Sequence, residues 1–277
     1  MKGYREIIKV DNYQFHYSLF GNRNLPIILF LHGFLGDCND FDRVISFLSD
    51  NFCCLTVDLP GHGKTIVTGE NEYYNMQNTA LGLIQLLNIL NIDRCFLSGY
   101  SMGGRLALYL TINFPHKFTK VVLESASPGL KTQEEQLLRI ARDRQIAEEL
   151  ETKDFRTFLN SWYDQPIFSY LKKHTDFDSI IEHRLENKPS ELAKSLRNLS
   201  TGIQPSLWEK IKDNQIPLLL LVGEYDGKFK FINQELAALS KVSQLKIIRN
   251  SGHNIHWENV RDFTAEIGKF YGCGIIV

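Results

Sequence analysis

Short apolar runs punctuate the chain at Pro26–Leu31, Phe52–Val57, Arg94–Leu97, Lys120–Leu123, Ile216–Val222 and Leu245–Ile248. Runs of this length, without alternation, suit strands buried on both faces. Most stop at glycine-rich or polar segments: HGF, DLPGHG, GYSMGG, GEYD and SGHNIH. An earlier stretch, Tyr13–Phe20, alternates enough to be a strand of a hairpin. Between the runs, apolar residues return at helical spacing over Tyr74–Leu90, over Met102–Phe114 (closed by Pro115) and over Val260–Tyr271. Strands alternating with helices predict an α/β fold: a mostly parallel sheet flanked by helices.

The rhythm breaks once. From Pro128 to about Lys212 there is no buried-strand run, and the stretch is polar and helical over Gln133–Glu151, Asp154–Trp162 and Pro189–Leu199. The pattern predicts a core of 1–127 and 213–277, with a helical cap of 128–212 inserted before the late strands.

Composition narrows the function classes. The chain has 277 residues, 43% hydrophobic and 23% charged, with a formal net charge of -1. No global basic field points to nucleic acid, so electrostatic selectivity must be local. The apolar runs fall far short of the ~20 residues of a membrane helix, and the N-terminal stretch has no signal-peptide h-region. The five cysteines lack a CxxC pair or zinc spacing, which suits reduced thiols in a cytoplasmic protein. Cys53 and Cys54, adjacent in a strand, should point to opposite faces.

Ligands of parallel sheets bind beyond the carboxyl ends of the strands, where the punctuating motifs fall. Gly99-Tyr-Ser-Met-Gly103 has the G-x-S-x-G form of a serine on a sharp strand-to-helix turn. Ser101, Asp226 and His253 follow in the order of an α/β-hydrolase triad. A serine hydroxyl is weak until a histidine takes its proton, and a buried aspartate orients that histidine. Asp226 is preferred over Glu224 because it lies further past its strand. The amides of Phe34 and Met102 are the candidates for an oxyanion hole. His253 and His256 are three apart, like metal ligands, but no third ligand cluster accompanies them. Gly61–Thr65 lacks the first glycine of a P-loop. No metal or organic cofactor is implied. Arg105, four residues after Ser101, shares its helical face. It is read as a clamp for an anionic substrate, against the plainer reading of an arginine paired with a carboxylate or a lid carbonyl.

The segments GYSMGGRLALYL, ESASPGL, SWYDQPIF, LAKSLRNLSTGIQPSLW, GEYDGKF and SGHNIHWEN resemble those of the 2-succinyl-6-hydroxy-2,4-cyclohexadiene-1-carboxylate synthases. The resemblance covers nearly the whole chain and implies an α/β-hydrolase fold. It implies a lyase of menaquinone and phylloquinone biosynthesis that eliminates pyruvate from a small anionic tricarboxylate. Carried over by position, it implies Ser101, Asp226 and His253 as the triad. Phe34 and Met102 match the oxyanion amides, and Tyr100, Arg105, Arg139, Trp162, Arg184 and Lys228 match substrate-contacting positions. Arg142 reads as a neighbouring surface charge. The residues alone leave open a serine hydrolase of an anionic ester, thioester or carbon–carbon bond, and a ligand receptor on the same scaffold.

Overall fold

The strands that carry these motifs lie in one sheet. The computed structural model describes residues 3–274; the outer ends of the predicted core, 1–2 and 275–277, lie outside the described residues. The strands are β1 (Gly3–Val10), β2 (Tyr13–Phe20), β3 (Ile27–Leu31), β4 (Cys53–Val57), β5 (Ile66–Val67), β6 (Cys95–Tyr100), β7 (Phe118–Glu124), β8 (Leu218–Gly223) and β9 (Ser243–Ile248). The helices are α1 (Asp42–Leu48), α2 (Met76–Ile89), α3 (Met102–Asn113), α4 (Gln133–Thr152), α5 (Phe155–Tyr163), α6 (Phe177–Arg184), α7 (Pro189–Asn198), α8 (Gly227–Leu239), α9 (Ile255–Glu258) and α10 (Val260–Tyr271). The sheet order is β1-β2-β4-β3-β6-β7-β8-β9, with β5 paired to β2. From β4 to β9 all neighbours are parallel, and β2 joins β4 antiparallel.

Alternation along the strands splits the interior in two. Leu29, Leu31, Cys53, Leu55, Leu97, Val121, Leu218 and Leu220 pack with residues of α2 and α3 on one face. Ile28, Phe30, Cys54, Val122, Leu219 and Leu221 pack with α1 and α10 on the other. Cys53 and Cys54 thus separate as strand geometry requires.

The chain passes from β3 to β4 on one side, then returns to place β6 on the other. Such a reversal opens a crevice at the carboxyl ends of the two flanking strands. Those ends carry His32-Gly33-Phe34 and Ser101.

Helices α4 to α7 all fall between β7 and β8. Thr132 and Glu135 start α4 with a reciprocal capping box. The cap has its own apolar core, built on Ala147, Leu150, Phe158, Leu159, Leu171, Ile180, Leu192 and Leu196, which Leu35 of the core enters. Polar links join the two parts beside Leu35. Arg184 donates to Asp40 at 2.6 Å, Asn187 Nδ2 donates to the Leu35 carbonyl at 3.0 Å, and His183 pairs with Asp37 at 2.7 Å. Among the described residues no helix is long and apolar enough to cross a membrane.

Candidate active site

Ser101 sits where β6 turns into α3, with φ 49° and ψ -104°. That conformation is strained for a residue with a Cβ. It lifts the hydroxyl above the sheet edge. The turn is held by Ser101 N–H donating to the Glu124 carbonyl at 2.9 Å. A side chain on Gly103 would run into the Leu31 carbonyl, so α3 can approach β3 only through a glycine.

The three residues expected to form a triad meet. The Ser101 hydroxyl lies 3.0 Å from His253 Nε2, and His253 Nδ1 lies 2.6 Å from Asp226 Oδ2. Asp226 also caps α8, its Oδ1 accepting from the Phe229 amide at 3.1 Å. Both carboxylate oxygens are therefore engaged, which fixes the orientation of the imidazole. Glu224 is occupied elsewhere, accepting from the Asn250 amide at 3.0 Å. His256 turns away from the site and lies 2.7 Å from Glu124 Oε2 through Nδ1. Rings of Tyr100, Phe168 and Phe229 surround His253 at centroid distances of 5.4, 6.0 and 4.6 Å. The loop before His253 is pinned by Glu258, which accepts from the Gly252 amide. Burial, reinforced by the charges of Glu124 and Asp226, pushes the Glu258 carboxyl up to about 8.

Above Ser101 lies a cavity of about 510 Å³ between core and cap. Ser101, Met102, Phe34 and His253 form part of its wall, and Trp162, Ile146, Phe168 and Leu196 line it from the cap. The Trp162 and Phe34 rings meet edge-on at 5.3 Å, joining the cap to the predicted oxyanion turn. Arg105, Arg139, Arg142 and Lys228 all line this space. Asp226, already bound to His253, is the only carboxylate residue among the described lining residues.

The cations are held differently. Arg105 donates to Gln204 Oε1 at 2.7 Å and to the Leu199 carbonyl at 2.9 Å. The clamp and lid-carbonyl readings of Arg105 are therefore compatible: it is tethered to the cap and it faces the cavity. Burial pushes its guanidinium down, the nearby Arg139 charge adds to this, and Asp143 opposes it. Lys228 is likewise lowered by burial and by Arg139 and Arg142.

The structure departs from the sequence reading at three residues. Arg184 is 2% exposed and lies outside the cavity wall, its guanidinium committed to Asp40 and the Tyr163 hydroxyl. Tyr100 is 5% exposed and packs behind His253 and His256, so it shapes the triad and does not line the cavity. Arg142, read as a surface charge, lines the cavity and donates to Gln165 Oε1 at 3.1 Å. Gln204, Asp143 and Gln165 escaped the sequence reading; only Asp143 carried a signal, its four-residue spacing from Arg139.

The family described as the alpha/beta hydrolase fold matches residues 26–260. A putative 2-succinyl-6-hydroxy-2,4-cyclohexadiene-1-carboxylate synthase of Bacillus subtilis is 34% identical over 245 residues, covering 88% of this chain and 89% of that protein. The synthase of that name from Serratia proteamaculans is 31% identical over 251 residues, covering 90% of this chain and 94% of its own. The solved structure of MenH from S. aureus superposes with a TM-score of 0.86 at 35% identity, covering 94% of this chain and 97% of that one. With this fold, this serine site and these relatives, the chain belongs to the 2-succinyl-6-hydroxy-2,4-cyclohexadiene-1-carboxylate synthase family of α/β-hydrolase-fold proteins.

Proposed function

We propose that the protein is a carbon–oxygen lyase of menaquinone or phylloquinone biosynthesis. It eliminates pyruvate from 2-succinyl-5-enolpyruvyl-6-hydroxy-3-cyclohexene-1-carboxylate and leaves 2-succinyl-6-hydroxy-2,4-cyclohexadiene-1-carboxylate. The observation that carries this reading is the pairing of a complete Ser-His-Asp arrangement with four cations around one cavity. A neutral ester gains little from such a wall, whereas a tricarboxylate needs it.

In this mechanism His253, held by Asp226, draws the proton from Ser101. The serine oxygen then removes the ring proton alpha to the succinyl ketone. The electrons of that C–H bond form a double bond between C2 and C3, the existing C3–C4 double bond shifts to C4–C5, and the carbon–oxygen bond from C5 to the enolpyruvyl group breaks. The departing enolpyruvate takes up a proton and becomes pyruvate; no water is consumed. The amides of Phe34 and Met102 stabilise negative charge on the ketone oxygen as the proton leaves. Arg105, Arg139 and Lys228 hold carboxylates, and Trp162 closes the apolar side. The five free cysteines accord with a cytoplasmic enzyme.

A pyruvate assay coupled to lactate dehydrogenase, run beside p-nitrophenyl acetate hydrolysis, tests the reading. Rapid pyruvate release with feeble ester cleavage is the expected result. Brisk ester cleavage without pyruvate release would make the protein a hydrolase of another anionic substrate.

A further inference from the structure

Two of the arginines that line the cavity, Arg105 and Arg139, are fastened to one short segment of the cap. Residues 199–204 follow α7 and fold against α4; a Cβ on Gly202 would stand 2.7 Å from the Gln136 carbonyl. This turn supplies the Leu199 carbonyl and Gln204 Oε1 to Arg105. It reaches Arg139 through an intermediary. Ser200 Oγ donates to Asp143 Oδ2 at 2.6 Å, and Asp143 accepts Arg139 Nε on both oxygens at 2.8 Å.

We propose that Asp143 is a positioning residue for substrate recognition, acting through Arg139. Its carboxylate takes the Nε edge of the guanidinium, leaving the two terminal nitrogens, which make no protein hydrogen bond among the described residues, to meet a substrate carboxylate as a fork. Its negative charge also stands beside two positive groups that repel one another. Arg139 destabilises the charged form of Arg105, and Asp143 opposes that repulsion. Before any anion arrives, Asp143 is the buried counter-charge that lets two guanidinium groups share one wall. Ser200 fixes Asp143 in turn. The inference rests on the reading of the cavity as a site for a polycarboxylate.

The side chain of Asp143 is 1% exposed and that of Arg139 is 34% exposed. Removing the carboxylate therefore leaves Arg139 solvated and not stranded in an apolar interior, so Asp143→Asn should fold. The test measures KM and kcat for pyruvate release, thermal stability, and binding of succinate as a dianionic probe by calorimetry. Asp143→Asn should raise KM roughly ten- to hundredfold and leave kcat within about threefold, because the triad is untouched. Succinate affinity should fall with it. Ser200→Ala should raise KM about two- to fourfold. In an Arg139→Gln background both substitutions should become nearly silent, since the group they position is gone. Should Asp143→Asn not fold, the Ser200→Ala comparison in the two backgrounds decides the matter alone.

An unchanged KM and succinate affinity in Asp143→Asn, with wild-type protein releasing pyruvate, overturns the proposal and leaves the lyase reading standing. So does a loss of equal size in the Arg139→Gln background. Weakened succinate binding in Asp143→Asn, with a wild-type protein that binds succinate but releases no pyruvate, supports the positioning role and removes the lyase.

Discussion

Replacing Arg184 with methionine removes one half of a buried ion pair, and the geometry sets the size of the loss. The Arg184 and Asp40 side chains are 3% and 1% exposed, with Nη1 donating to Oδ1 at 2.6 Å. The other oxygen of Asp40 is buried without a protein partner. Taking away the guanidinium leaves a carboxylate in low dielectric with almost nothing to compensate it. Breaking a buried pair from one side costs about 3–5 kcal/mol. At roughly 2–4 °C per kcal/mol for a chain of this size, the melting temperature should fall by about 6–20 °C. The double replacement Arg184→Met with Asp40→Leu strands no charge, and should recover most of the loss. The assay is thermal unfolding of wild type, both single variants and the double variant. KM for pyruvate release is measured well below each transition and should change by less than about twofold. A variant Arg184→Met that keeps the wild-type transition but raises KM tenfold would refute the argument, because Arg184 would then be holding substrate.

Other consequences are equally direct. Ser101→Ala should lower kcat by on the order of a thousandfold or more while sparing substrate binding; strong residual turnover would assign the base to another group. Glu258, with a folded value of about 8 against an ordinary 4.5, contributes stability that is full below pH 4.5 and is lost as the pH rises through 8. Denaturant unfolding of Glu258→Gln should therefore lose that pH dependence, and parallel curves for the variant and wild type would contradict it. Burial and the neighbouring arginines lower the Lys228 amine from 10.5, so its positive charge disappears at a lower pH than for an ordinary lysine. KM should begin to rise below pH 10.5, and Lys228→Met should remove that rise; an identical pH profile in the variant would exclude Lys228 from substrate binding.

The triad was legible because each member stands at a strand end, where a chain motif and a place in the fold coincide. The parallel sheet was legible for the same reason: runs such as Ile216–Val222 allow no other environment. Helices α1 and α8 were not marked: α1 has only 7 residues, too few to show a helical period, and α8 begins inside the GEYDGKF motif. Arg184 was misplaced because its partner Asp40 lies 144 residues away in sequence. A helix pattern reveals that a charge is present but not what faces it across a domain seam. Arg142 failed in the opposite sense: its polar helix looked solvated, yet one side of it lines the cavity. Backbone strain at Leu35, with φ 70°, was likewise invisible, because the flanking glycines Gly33 and Gly36 answer close packing against Tyr100 and Asp40.

The separate apolar core of the cap bears on the order in which the molecule is made. The buried members of that core come from residues 147–196 and Leu35, with Phe34 and the later Trp257 packed against its edge. During synthesis, domains fold from the N-terminus onward. The cap segment has emerged before β8 and β9 exist, so the lid takes shape over a half-built sheet. Asp226 and His253 arrive afterwards, in the loops that follow the last two strands. The serine is thus covered before it is activated, and a nascent chain carries no working triad. Protease digestion of ribosome-stalled chains ending near residue 213 should show the cap already protected; rapid cleavage throughout it would mean that lid and sheet form together.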